Sequence, residues 1–156
     1  MNTRHQMIRR LRDHVGEIDS FTDGLSAEDL KRPPPEGGWS LHELAIHLAE
    51  TQEVFAERIA RMLVEDLPVI TPYSPDEAKS SGWYLTRNLP EGLKSFRQQR
   101  ATLLVLLESL TDAQWRLGGK HPEIRNYTVE KCVESLMRHE EHHLYRMFTV
   151  FFGAQR

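Results

Sequence analysis

The stretch Arg138-His139-Glu140-Glu141-His142-His143-Leu144-Tyr145 lies inside a helical pattern that runs from about Val129 to Phe152. Residues spaced three or four apart form one apolar face of this predicted helix. That face comprises Cys132, Leu136, His139, His143, Met147 and Val150. Two histidines therefore occupy positions where apolar side chains are expected, and a buried polar side chain needs a hydrogen-bond or metal partner. Histidines at i and i+4 point the same way, which suits two ligands of one metal ion.

The composition is typical of one globular domain that buries a substantial core, and we expect a single domain over residues 1–156. The net charge of −3 gives no electrostatic reason to expect nucleic-acid or membrane-surface binding. The sequence has no apolar run that is typical of a membrane span or an export signal. The single cysteine, Cys132, fits a reducing compartment, so we expect a cytoplasmic protein.

Four long amphipathic helices are predicted from apolar residues at helical spacing, and they indicate an all-α four-helix bundle. Their approximate bounds are Thr3 to Asp23, Leu41 to Val64, Leu89 to Leu110 and Val129 to Phe152. The second helix has the strongest start signal, because Ser40 as N-cap and Glu43 three residues later form a capping box. Short capped helices are predicted in the connections, at Ser26, Ser74 and Thr111. The long connection from Glu65 to Ser81 is a candidate to cover one end of a cavity.

A third metal ligand must come from another helix, because catalytic zinc-type sites usually take three protein ligands and keep one position open. His47 is the best candidate, since it lies deep inside the core-facing second helix. His47, His139 and His143 would then form a site for one divalent ion on the interior of the bundle. Without a metal, the same rings could instead hydrogen-bond to Glu43, Glu50 or backbone carbonyls.

Several polar residues near these positions are open to more than one interpretation. Arg100 interrupts an apolar register, and its side chain either reaches out to solvent or points inward to meet a carboxylate or an anionic ligand. The solvent-facing interpretation is preferred. His5 and His14 lie off the apolar stripe of the first helix and are predicted to be exposed. His142 lies off the stripe of the fourth helix and is predicted to be a surface residue or an outer partner of the site.

Two other metal chemistries compete with a single three-histidine site. His139-Glu140-Glu141-His142-His143 matches the H-E-x-x-H pattern, in which two histidines bind zinc and the glutamate is the general base. No further ligand follows it along the chain, although Glu140 remains a candidate base. A carboxylate-bridged di-iron centre needs two Glu-x-x-His pairs, and only Glu140-x-x-His143 is found. One ion is therefore favoured over two.

The sequence resembles the DinB-like family, also called the DinB/YfiT-like metalloenzymes. The resemblance is carried by three stretches, Arg32 through Trp39-Ser40 to Thr51, Phe96 to Trp115, and Tyr127 to Met147. It implies an up-down-down-up four-helix bundle, often a homodimer, with one divalent ion held at the positions of His47, His139 and His143. Characterised relatives include S-transferases that depend on bacillithiol or mycothiol, and a mycothiol-dependent maleylpyruvate isomerase.

We therefore expect a mononuclear enzyme that uses zinc, nickel or iron and acts on a small molecule, with a low-molecular-weight thiol as co-substrate of a transfer reaction. The ion would lower the pKa of a bound thiol or water. Glu140, Glu50 and Arg100 are the candidate catalytic residues, and Arg100 could receive an acidic group of the substrate. Two alternatives remain open: a hydrolase that uses metal-bound water, and a non-catalytic binding or stress-response module whose metal is structural or absent.

Overall fold

Helices dominate the computed structural model, which describes residues 2–154. The elements in chain order are α1 (Thr3–Thr22), α2 (Ala27–Lys31), α3 (Leu41–Val64), α4 (Asp76–Ser80), α5 (Trp83–Thr86), α6 (Leu89–Ser109), α7 (Asp112–Trp115), β1 (Gly118–Gly119), β2 (Tyr127–Thr128) and α8 (Val129–Ala154). The four predicted long helices are therefore confirmed as α1, α3, α6 and α8. None of the helices within residues 2–154 is long and apolar enough to cross a bilayer.

The helix that carries His47 begins where the sequence predicts. The Ser40 hydroxyl accepts from the Glu43 backbone N–H at 3.2 Å, and the Glu43 carboxylate accepts from the Ser40 backbone N–H at 3.1 Å. This capping box satisfies two backbone donors that the first turn of α3 leaves without helical partners. In α6 the Asn88 side chain caps the first turn in the same way, by accepting from the Glu91 N–H at 3.0 Å. Both helices therefore start at fixed residues.

The long helices form a four-helix bundle in which α3 packs against α6 and α8, and α1 packs against the same two helices. The bundle contains two apolar clusters. One is centred on Leu11, Ile59, Leu107 and Leu136. The other is centred on Ile18, Leu48, Phe96 and Met147. Each long helix contributes residues to both clusters, and His14, Gln52, Arg100 and Glu140 fall between the two clusters along the chain.

The connections contain more structure than the sequence indicates. The short helices predicted after Ser26, Ser74 and Thr111 are present as α2, α4 and α7, but the single-turn helix α5 was not predicted. No strand was predicted either, whereas β1 and β2 form a two-residue antiparallel ribbon beside α8. Pairs of glycines carry no hydrophobic periodicity, so Gly118–Gly119 gives no signal for a strand.

Candidate metal centre

Three imidazole rings converge between α3 and α8. His47 lies on α3, and His139 and His143 lie one turn apart on α8. The centroid of the His47 ring lies 5.0 Å from that of His139 and 4.6 Å from that of His143. The centroids of the two rings on α8 are 4.4 Å apart. One nitrogen of each ring lies within 4.8 Å of a nitrogen of the other two. The structure thus brings together the three histidines that the sequence selects.

The spacing of these nitrogens is compatible with three ligands of one ion. Metal–nitrogen bonds of about 2.0–2.1 Å place two ligand nitrogens about 3.3 Å apart. The Nε2 atoms of His47 and His139 are 3.0 Å apart. A nitrogen of His143 lies within 4.8 Å of a nitrogen of each of the other two rings. A proton shared between His47 and His139 would leave His143 without a polar partner, and the Nδ1 atoms of His139 and His143 are buried with no hydrogen bond. One ion can contact all three rings, whereas one proton can be shared by only two.

His47 is oriented by two tyrosines and a carboxylate. Its Nδ1 lies 3.1 Å from the Tyr84 hydroxyl and 3.3 Å from the Tyr73 hydroxyl. Both hydroxyls donate to the same oxygen of Glu50, at 2.9 Å from Tyr84 and 2.7 Å from Tyr73. Because the tyrosine protons point to Glu50, their oxygens accept from His47, which places the proton of the ring on Nδ1. The lone pair of Nε2 is therefore left facing His139.

Burial keeps the three rings in the neutral form that binds metal ions. It lowers the pKa of His47 to about 3, and the neighbouring His139 adds to the effect. Burial also lowers the pKa of His143 to about 3, assisted by the nearby His139 and His47. The pKa of His139 is lowered by burial as well, although Glu140 opposes this shift. The donor set is thus neutral near pH 7.

Aromatic rings surround the three histidines. The Trp39 ring lies 5.1 Å from His47 and 6.3 Å from His143 between centroids, and the Phe55 ring lies 6.1 Å from His139. Burial raises the pKa of both Tyr73 and Tyr84, so both phenols stay protonated. Such an apolar wall lowers the local dielectric and strengthens any charge interaction at the centre.

Glu140 and Arg100, two candidate catalytic residues, face away from the histidines. Glu140 is 0% exposed and lies between the Arg100 guanidinium, which contacts its Oε2, and His14, whose Nδ1 is 2.9 Å from its Oε1. Burial alone would raise the pKa of Glu140, but the charge and hydrogen bond of Arg100 together with those of His14 outweigh burial, and the pKa is lowered. No hydrogen bond links Glu140 to His139 or His143 within residues 2–154, so the H-E-x-x-H role for Glu140 finds no support in this geometry.

Two predictions about these residues are wrong. Arg100 was expected to reach solvent, but it is 1% exposed, and its guanidinium points inward to Glu140, Gln52 and the Leu11 carbonyl. These protein partners accept from its Nε, Nη1 and Nη2 atoms. His14 was predicted to be exposed but is 2% exposed. Its helix turns it toward Glu140, a partner 126 residues away that no local pattern reveals.

The other polar residues considered in the sequence do not contact the three histidines as ligands. His5 and His142 are exposed, as predicted, and the His142 ring lies 5.2 Å from that of His143. Glu43 serves the α3 cap and an ion pair with Lys79 at 2.7 Å rather than a histidine. Glu50 reaches His47 only through the two tyrosines described above.

Tyr73 and Tyr84 were missed by the sequence interpretation. Both belong to the connection between α3 and α6, and the rings of both lie against His47. Only Tyr73 falls in the stretch from Glu65 to Ser81 that was a candidate to cover one end of a cavity. The available signal was the presence of two tyrosines in a long connection. A long connection can fold back over the bundle and bring such side chains to the histidines. Their positions depend on the path of that segment, which includes Leu67 in a left-handed conformation with φ 43°.

The chain was compared with known proteins. The family model described as the DinB superfamily matches residues 10–147. The candidate metal-dependent hydrolase YfiT of Bacillus subtilis (strain 168) is 26% identical over 141 residues, covering 88% of this chain and 78% of the relative. The candidate metal-dependent hydrolase OB0782 of Oceanobacillus iheyensis is 29% identical over 142 residues, covering 90% of this chain and 81% of the relative.

A solved structure shows the same fold. The structure of YfiT from Bacillus subtilis, described as having an unusual four-helix bundle topology, superposes with a TM-score of 0.85 at 22% identity. The match covers 96% of this chain and 87% of the YfiT chain. The expected bundle is therefore confirmed. The match to the family model extends over most of the chain and includes all three histidines of the cluster, so this protein belongs to the DinB superfamily.

Proposed function

We propose that this protein is a hydrolase that depends on one divalent metal ion held by His47, His139 and His143. The observation that carries the proposal is the convergence of three neutral imidazoles from two facing helices, with nitrogens within 4.8 Å of one another. The names of the relatives, which are candidate metal-dependent hydrolases, support the reaction class. When bound, such an ion supplies a nucleophile near neutral pH by lowering the pKa of a water molecule.

The residues of this chain have separate tasks in the proposed reaction. His47, His139 and His143 would hold the ion, and catalytic sites with three protein ligands usually keep a further position for water or substrate. Tyr73, Tyr84 and Glu50 fix the proton of His47 on Nδ1 and so keep Nε2 available. Partners of this kind orient a ligand ring and raise its basicity. Trp39 and Phe55 shield the centre from bulk water.

The thiol-dependent transfer that the family resemblance implies is the second candidate, and it differs only in the nucleophile. No described residue forms a contact that favours a thiol over water, so hydrolysis is the simpler proposal. The choice among zinc, nickel and iron also rests with experiment, because imidazole nitrogen suits all three metals.

A single set of assays tests the proposal. Protein stripped with a chelator is reloaded with zinc, nickel or iron(II) and assayed on a panel of activated esters and amides, with and without bacillithiol or mycothiol. We expect hydrolysis that requires metal but no thiol. His143→Ala should abolish it, whereas His142→Ala, which alters an exposed neighbour on the same turn, should not. Activity only with a thiol would transfer the assignment to a transferase, and metal-loaded protein without turnover would favour the non-catalytic module.

A further inference from the structure

A buried polar cluster crosses the bundle beside the histidines, and it consists of Arg100, Glu140, His14 and Gln52. Their exposed fractions are 1%, 0%, 2% and 0%, respectively. Each of the four long helices contributes one member: α6, α8, α1 and α3. We refer to these residues as the Arg100 cluster.

Arg100 is the centre of this cluster. Its Nε donates to Gln52 Oε1 at 2.9 Å, its Nη1 donates to the Leu11 carbonyl at 2.7 Å, and its Nη2 donates to Glu140. Glu140 accepts in addition from His14 Nδ1 at 2.9 Å. One guanidinium therefore ties α6 to the other three long helices at the same level of the bundle.

The cluster lies where the two apolar clusters of the core meet. Along each long helix its member falls between a residue of one apolar cluster and a residue of the other. The flanking pairs are Leu11 and Ile18, Leu48 and Phe55, Phe96 and Leu103, and Leu136 and Leu144. His139 belongs to the same junction, because Glu140 directly follows it on α8. His47 lies one turn before Gln52 on α3 and contacts His139 there, with 3.0 Å between the two Nε2 atoms.

Burying four polar side chains at this level is a poor way to stabilise a bundle. Removing charges from water is unfavourable, and replacing a buried ion pair with apolar residues often leaves a protein equally or more stable. The directional hydrogen bonds of a guanidinium instead fix geometry, since they fail when helices slide by the roughly 1.5 Å rise of one residue. Such a slide of α8 would separate Glu140 from Arg100 and His139 from His47 together.

We infer that Arg100, Glu140, His14 and Gln52 are positioning residues that hold α8 at the height and rotation where His139 and His143 reach His47. The inference rests on the proposed metal centre, because it assigns the cluster to the geometry of that site. It gives Arg100 and Glu140 a different role from the catalytic one that the sequence suggested. The cluster acts through the helices and touches neither the ion nor the substrate.

An apolar replacement separates positioning from stability. The variant Arg100→Met, Glu140→Leu, His14→Leu and Gln52→Leu removes the cluster without leaving an unpaired buried charge. We expect its metal-free form to melt at or above the temperature of the wild type. Its zinc affinity, measured by competition with a chromophoric chelator, should fall about 10- to 100-fold. The visible absorption of its cobalt(II) form should also change, because those bands report ligand geometry.

A conservative variant keeps the test decisive if the apolar variant does not fold. Arg100→Lys retains the charge but lacks the planar fork that reaches Gln52, Leu11 and Glu140 together. We expect weaker zinc binding with an unchanged circular dichroism spectrum. The matched control is Arg97→Lys, which alters an exposed arginine of the same helix paired with Asp19 at 2.9 Å and should leave zinc affinity unchanged.

The outcomes distinguish this inference from the proposed function. A folded cluster variant with the zinc affinity and cobalt spectrum of the wild type would overturn the positioning role and leave the metal centre intact. A wild-type protein that binds neither zinc nor cobalt would instead overturn the proposed function itself.

Discussion

At the scale of single residues, the hydrogen bonds of His47 decide what the three-histidine cluster can do. A histidine offers a metal ion only the nitrogen that carries no proton, so the partner of the other nitrogen determines which one is free. Here the hydroxyls of Tyr73 and Tyr84 donate to the Glu50 carboxylate, which makes their oxygens better acceptors for the proton on His47 Nδ1. His139 and His143 have no such partner on Nδ1, so His47 is the ligand whose orientation the protein fixes most firmly.

Removing both tyrosine hydroxyls should therefore weaken metal binding. We expect the variant Tyr73→Phe with Tyr84→Phe to lose about 10- to 100-fold in zinc affinity, because His47 Nδ1 and Glu50 lose the groups that link them. Chelator competition measures the change. Tyr145→Phe is the control, since Tyr145 is 67% exposed and should leave the affinity as it is. Wild-type affinity in the double variant would contradict a role for the tyrosines.

Cys132 is a core residue and not a nucleophile. Its side chain is 0% exposed, and burial raises the pKa of the thiol to about 11. The thiolate is the reactive form, so iodoacetamide at pH 8 should leave the native protein unlabelled for hours and alkylate it quickly in urea. Mass spectrometry of timed samples gives both rates. Rapid labelling of the native protein would show that Cys132 reaches solvent.

At the scale of elements, α3 and α8 are amphipathic helices whose buried faces carry polar residues near the junction of the two apolar clusters, and α3 also buries His42 and Glu43 in its first turn. On α8, His139 and His143 face α3, whereas the adjacent Glu140 faces α1 and α6. Two consecutive residues on one helix thus serve different interactions, because successive side chains point about 100° apart. The start of α3 matters as much, since it sets where His47 lies.

Removing the N-terminal cap of α3 should lower the free energy of unfolding. Ser40→Ala removes the hydroxyl that accepts from the Glu43 backbone N–H, and we expect the free energy of unfolding to fall by about 1 kcal/mol. Urea denaturation followed by circular dichroism measures it. The control is Ser109→Ala, which changes an exposed serine at the C-terminal end of α6. This substitution should alter the free energy of unfolding by less than about 0.5 kcal/mol. Equal effects of the two substitutions would mean that the cap does not stabilise α3.

The elements also show which features local sequence can predict. The long helices follow from apolar spacing and caps within a few residues, and Ser40 with Glu43 marks the start of α3 correctly. His139 and His143 follow from one helical turn. Arg100 and His14 could not be placed, because their common partner Glu140 is 40 and 126 residues away, respectively. Tyr73 and Tyr84 depend on the path of an irregular connection, which hydrophobic periodicity does not describe.

At the scale of the whole molecule, a polar layer separates two apolar halves of one bundle. The Arg100 cluster lies in this layer with His139 and His143, and His47 contacts His139 from the adjoining part of α3. The candidate metal centre therefore borders the part of the core that gains least from hydrophobic burial. Homodimer formation and a cytoplasmic location, both expected from the sequence, remain predictions.

Metal binding should stabilise the whole bundle, because the proposed ligands come from two different helices. A ligand that binds only the folded state adds about 2.7 kcal/mol when its free concentration is 100 times the dissociation constant. We therefore expect the melting temperature of the wild type to rise with added zinc, as followed by differential scanning fluorimetry. His47→Ala should show no rise, and a similar rise in this variant would place the zinc elsewhere.

The most direct measurement is the metal content of the protein by plasma mass spectrometry after dialysis against dilute zinc. We predict one ion per chain for the wild type and for His142→Ala, and none for His47→Ala, which should retain the helical spectrum of the wild type. A wild type without metal, or a full complement of metal in His47→Ala, would contradict the three-histidine centre.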